Sequence, residues 1–199
     1  MNERELQHMV VKASGSLANS LVEYWPSEGN NEFCEQNAVM HLACILNNSG
    51  FCVYGECHFK GGTDKRLDLL ALRSKDAAQI MVEAKRLYSA EKVAEIIDDV
   101  NRLVNFRLID KELDGVLKDK FCVLLATTWN DGYAQWWSSA NGEEPTDNAN
   151  WAKLNGHPAL QEAIWGSQVL QGYSPDKECT EGFQYLLYCI FRQPSPVRD

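Results

Sequence analysis

At 199 residues the chain suits one domain with a sizeable hydrophobic core, and 28 acidic against 19 basic side chains leave a net charge of −9. No run of about eighteen apolar residues occurs, which excludes a membrane-spanning helix, and the start Met1-Asn2-Glu3-Arg4-Glu5 lacks a signal-peptide pattern. The seven cysteines are odd in number and scattered, with no CxxC pair; they argue against a zinc site and read as reduced thiols of a cytoplasmic protein.

Residues 2–25 carry a helical pattern, with Leu6, Met9, Val10, Ala13, Leu17, Leu21 and Val22 on one apolar side, and residues 26–31 break it. That side is expected to pack on the core, the alternative being a dimer contact. Residues 31–47 read as a second helix, ended by Asn48-Ser49-Gly50. Glu35, Val39, Leu42 and Leu46 fall on one stripe of it, and Glu35 is the only charged member. Glu35 is therefore a candidate to point at the sheet, with Glu32 as its competitor; the plain alternative is a first-turn glutamate favoured by the helix dipole. Residues 51–59 read as a strand on which Tyr54, Glu56 and His58 share a face. Residues 60–65 form a glycine- and lysine-bearing loop.

Residues 66–72 and 79–85 are apolar on both faces except for a few charges, the signature of strands in the middle of a sheet. Residues 73–78 between them suit a hairpin turn. Alternation puts Glu83 and Lys85 on one face with Ala84 opposite, and a turn centred between Lys75 and Ala77 sets Asp68 across from Glu83 or Lys85. Burying two carboxylates together is costly, and a bound cation removes the cost. Mg²⁺ (or Mn²⁺) suits oxygen donors, so Asp68, Glu83 and the backbone carbonyl of Ala84 are the candidate ligands. Lys85 would orient or help deprotonate an attacking water and offset charge in the transition state. The alternative is an ion pair of Lys85 with Asp68 or Glu83 and no metal.

Ser89 is a plausible cap for a long amphipathic helix over residues 90–105, with Val93, Ile96, Ile97, Val100, Leu103 and Val104 as its buried stripe and Lys92, Arg102 and Arg107 around it. Residues 121–128 read as a buried strand parallel to its neighbour, because a helix connects them. Beyond residue 128 the pattern weakens. A short helix over residues 133–140, an exposed acidic loop over 141–150, a helix start at Pro158 and a hairpin of residues 166–173 and 183–192 are expected. Trp129, Trp136, Trp137, Trp151 and Trp165 read as core, with stacking on unpaired bases as the alternative.

The order helix, strand, strand, strand, helix, strand, with Glu35, Asp68 and Glu83-Ala84-Lys85 at its acidic positions, resembles the PD-(D/E)XK, or restriction-endonuclease-like, nucleases over residues 31–128. Leu67 stands where that family often has proline. The resemblance implies an α/β fold in which helices flank a mixed central β-sheet, an αβββαβ core. Residues 1–30 would precede it as an N-terminal helix and residues 129–199 follow it as an aromatic-rich extension. It also implies a Mg²⁺-dependent nuclease hydrolysing phosphodiesters, with DNA the commoner substrate; Asp68, Glu83, Lys85 and Glu35 would be its catalytic set. The alternative is a catalytically inactive module of the same fold that binds a protein partner or nucleic acid. The acidic balance weighs against a nucleic-acid partner unless a cation neutralises the site, a local basic patch exists, or a partner subunit or homodimer supplies affinity. Lys65, Arg66, Arg86 and Lys92, with Lys60 and Lys85 nearby, are the candidates for such a patch.

Overall fold

Runs of apolar residues on both faces of a strand demand cover on both sides, and the helices supply it. The structure, a computed structural model, describes residues 1–24, 34–58, 66–139, 149–172 and 183–194. Strands β1 (Cys52–His58), β2 (Arg66–Arg73), β3 (Ala78–Arg86), β4 (Asp119–Thr128), β5 (Ile164–Gly172) and β6 (Phe183–Arg192) form one sheet in the order β1-β2-β3-β4-β6-β5. Neighbours run antiparallel except β3 and β4, which are parallel. A parallel pair needs a crossover, and α3 (Lys92–Asn105) with the short α4 (Lys111–Val116) provides it. The protein is therefore α/β, with a mixed open sheet flanked by helices.

On one face lie α1 (Glu3–Glu23) and α2 (Gln36–Asn48); on the other lie α3, α5 (Asp131–Ser139) and α6 (Ala149–Asn155). A capping box starts α1: the Asn2 side chain accepts from the Glu5 N–H and Glu5 accepts from the Asn2 N–H. Leu6, Val10, Ala13, Leu17 and Leu21 are buried in the same cluster as Leu170, Tyr188 and Ile190 of the sheet. The apolar side of α1 thus packs on the core. Val22, expected on that side, is exposed, because it lies a full 100° round the helix from the buried Leu21.

Val39, Leu42 and Leu46 of α2 are buried as expected, but the helix begins at Gln36 rather than at residue 31. Residues 31–33, and Glu32 with them, lie outside the described residues, as do the loop at 60–65 and most of the acidic stretch at 141–150. The β2–β3 hairpin turns through Ser74–Asp76 and a left-handed Ala77 (φ 51°), and Arg73 grips the Asp76 carboxylate at 2.6 Å. Ser89 does not cap α3 with its side chain; the helix starts at Lys92, and the Ser89 and Ala90 carbonyls accept from Lys92 and Val93. β4 is parallel to β3, and β5 pairs with β6, as the pattern predicts. At Pro158 there is a single 3₁₀ turn, Pro158–Leu160, not a longer helix, and the chain then enters β5.

Among the described residues four tryptophans belong to the core, Trp165 as a partly buried ring packed edge-on against Trp136 and Trp137. Trp136, Trp137 and Trp151 are buried, Trp137 Nε1 donates to the Tyr188 carbonyl at 2.8 Å, and the Trp136 and Trp151 rings sit 4.0 Å apart. Trp129 is exposed. Among the described residues no helix is long and apolar enough to cross a membrane.

Candidate functional site

Asp68 sits where the sheet's pairing is interrupted on both sides. The β1–β2 ladder passes from Gly55↔Leu69 to Cys57↔Leu67 and skips Glu56, whose backbone is left-handed (φ 53°). The β2–β3 ladder runs from Arg73↔Ala78 to Leu69↔Val82 and stops, so Asp68 and Glu83 are the next pair in register, left open. The Ala84 N–H, which the opened strand leaves free, donates to Asp68 Oδ2 at 2.7 Å. Gln36, the first residue of α2, donates to Asp68 Oδ1 from its amide at 3.3 Å. A strand residue's N–H and C=O leave on the same edge, so the Ala84 carbonyl belongs to the Asp68 edge of β3.

Glu83 and Lys85 share the α3 side of the sheet, as alternation requires. Glu83 is 2% exposed and accepts from Arg102 Nε at 3.2 Å. Arg102 also binds Asp99, one helical turn earlier on α3. Asp99 is 1% exposed, and its second oxygen lies 3.7 Å from Lys85 Nζ. Lys85 is therefore ion-paired with Asp99, and not with Asp68 or Glu83 as the metal-free alternative had it. Burial pushes the Glu83 carboxyl up to about 8; Arg102 opposes the shift, and the nearby Asp99 and Asp68 charges add to it. Burial likewise raises Asp99, to about 6, against the pull of Lys85 and Arg102.

Asp68, Glu83, Ala84 and Lys85 thus lie at one end of β2 and β3, with Asp68 held by the Ala84 N–H and by Gln36 of α2, and Glu83 and Lys85 held by Arg102 and Asp99 of α3 rather than by Asp68. Glu35 stands beside this group rather than in it. It precedes α2 with no capping bond, and its carboxylate pairs with Arg86 Nε at 3.2 Å. Of the two neighbours, Gln36 is the one that reaches Asp68. The expected basic patch is largely consumed by acids: Arg66 faces Glu56 at 3.8 Å, Arg86 takes Glu35, and Lys92 takes Glu95. Lys60 and Lys65 lie outside the described residues.

Sequence reasoning missed Gln36 and Asp99, and it set Arg102 around the buried stripe of α3 without a partner on β3. Asp99 had a signal: it falls three residues after Ile96 and four before Leu103, inside the buried stripe of α3. Arg102 follows it at i+3, the spacing of a facing pair.

The donor set suits a hard divalent cation. Asp68 and Glu83 offer carboxylate oxygens and Ala84 a carbonyl, and Mg²⁺ with one or two carboxylates normally keeps several waters. Asp99 Oδ2 is buried and accepts no hydrogen bond, and burial disfavours the charged form of Glu83. Among the described residues no group of three or more His, Cys, Asp or Glu side chains is arranged to hold a metal, so a cation here would rely on two carboxylates, a backbone carbonyl and water. Comparison with known proteins gives no matching family model, no matching curated protein and no matching solved structure.

Proposed function

We propose that the chain is a metal-dependent nuclease of the restriction-endonuclease-like type, hydrolysing phosphodiester bonds, in DNA before RNA, with Mg²⁺ or Mn²⁺. The observation that carries this reading is the open Asp68–Glu83 register at the end of the β2–β3 hairpin, with Lys85 on the Glu83 face. Support also comes from the order α2-β1-β2-β3-α3-β4, with the carboxylates on its second and third strands. A bound cation would supply a water of lowered pKa and a positive centre against a phosphate oxygen. Asp68 and Glu83 would hold it through carboxylate oxygens and Ala84 through its carbonyl. Lys85 would direct its ammonium at the water or at the charge that develops on phosphorus oxygens. Arg102 steadies Glu83 from behind.

A second reading has one specific observation in its favour. Arg102 and Lys85 already compensate Glu83 and Asp99 within the chain, so these two buried carboxylates are balanced without a metal. A non-catalytic module that binds protein or nucleic acid needs no more than that. Cleavage of single- and double-stranded DNA and RNA, with Mg²⁺, Mn²⁺ or EDTA, separates the two. The nuclease reading expects metal-dependent cutting that disappears in Lys85→Ala. A folded, metal-loaded protein that cuts none of the four substrates would favour the module.

A further inference from the structure

We propose that Asp99 is the positioning residue for Lys85, fixing its ammonium beside Glu83 from the neighbouring helix; the inference deepens the nuclease reading and rests on it. A lysine stem has four carbons and many rotamers, and ordering it has to be balanced by a fixed partner. Asp99 is such a partner. It is buried within the apolar stripe of α3, where an aliphatic side chain would pack at lower cost. Arg102 occupies its Oδ1. Its Oδ2 accepts no hydrogen bond and faces Lys85 Nζ at 3.7 Å. Arg102 in turn is fixed by Glu83 at 3.2 Å. The four side chains form one line, Lys85–Asp99–Arg102–Glu83, that starts and ends on β3 two residues apart. Lys85 cannot swing into solvent without leaving a buried carboxylate oxygen bare.

Asp99→Asn tests this with the shape preserved, since its side-chain oxygen can still accept from Arg102 while the charge facing Lys85 is gone. Three quantities are read: kcat and KM on the oligonucleotide that the wild type cuts, Mn²⁺ affinity by calorimetry, and the Lys85 Nζ signal by NMR, assigned by its loss in Lys85→Ala. The expected result is a kcat lowered by roughly 10²-fold, the size that misplacement of a reacting group costs, with KM and Mn²⁺ affinity kept and the Lys85 signal shifted. Asp99→Glu, which keeps the charge, recovers part of kcat. A fully active Asp99→Asn overturns the proposal and leaves the nuclease reading intact. Loss of Mn²⁺ affinity in Asp99→Asn also overturns it, because Asp99 would then serve the metal. If the wild type cuts nothing, the nuclease reading has failed and the Lys85 signal decides alone: moved by Asp99→Asn it upholds the anchoring, unmoved it ends it.

Discussion

Asp68 serves the backbone as well as the candidate chemistry, and the two roles separate by mutation. Its Oδ2 is the acceptor for the Ala84 N–H at the point where strand pairing stops. Asp68→Ala leaves that N–H in a partly buried place without a partner, a loss of about 1–3 kcal/mol. Asp68→Asn keeps a carbonyl oxygen for it and loses the charge and the second oxygen, to which Gln36 donates. Urea denaturation should therefore find Asp68→Ala clearly less stable than Asp68→Asn, while calorimetry finds Mn²⁺ binding weakened in both. Equal stability of the two would show that the bond to Ala84 contributes nothing. At this scale the sequence was readable wherever a charge interrupts an apolar strand: alternation pairs Glu83 with Lys85, and a short turn sets Asp68 opposite. It was harder to read where a charge sits on a helix. Most helical charges face water, so Arg102 passes for ordinary surface until α3 is seen against β3, and Asp99 is marked only by its place in the buried stripe. Gln36 carries no charge at all, and only the docking of α2 gives it meaning.

Helices and strands are held to one another by contacts that single atoms can break. Gly166 of β5 lies opposite Tyr188 of β6, and a Cβ at Gly166 would come within 2.3 Å of the Tyr188 ring. That ring's hydroxyl accepts from the Gln7 amide of α1 at 3.0 Å. Gly166→Ala should push the ring away, break the bond to α1 and cost about 1–3 kcal/mol as an overpacked site. Chemical denaturation would measure the loss, and faster amide exchange along α1 would locate it; wild-type stability would mean that the ring has room to move. The long elements were legible because each repeats its pattern over several turns or alternations. α4 and α6 were not, since six and seven residues hold too few turns for a stripe to emerge. The cap of α4 was the available cue: Asp110 accepts from the N–H groups of Glu112 and Leu113.

Across the whole molecule, acids outnumber bases, and the two raised carboxyls make stability depend on pH. Glu83 titrates near 8 and Asp99 near 6 in the fold, both above their ordinary values, so between about pH 5 and pH 8 the metal-free folded chain holds protons that the unfolded chain has released. Stability contributed by these groups therefore falls as pH rises through that window. His41 and His157, lowered by burial, act in the opposite direction, so the comparison belongs between wild type and Glu83→Gln. The thermal midpoint of the wild type should drop relative to Glu83→Gln as pH rises. Saturating Mn²⁺ should reverse the drop in the wild type alone, by about 2.7 kcal/mol at a hundred times Kd. A pH profile identical in the two proteins would remove Glu83 as the source.

The left-handed turn at Glu56 has a second effect, on the outer rim of the sheet. β1 is an end strand, and a regular end strand presents a row of unpaired amides on which another chain can grow. The irregularity at Glu56 divides that row into Cys52 to Gly55 and Cys57 to His58, each too short for much templating. The irregularity in β1 beside Asp68 thus also guards the rim against cross-β aggregation, and straightening it would restore a continuous edge.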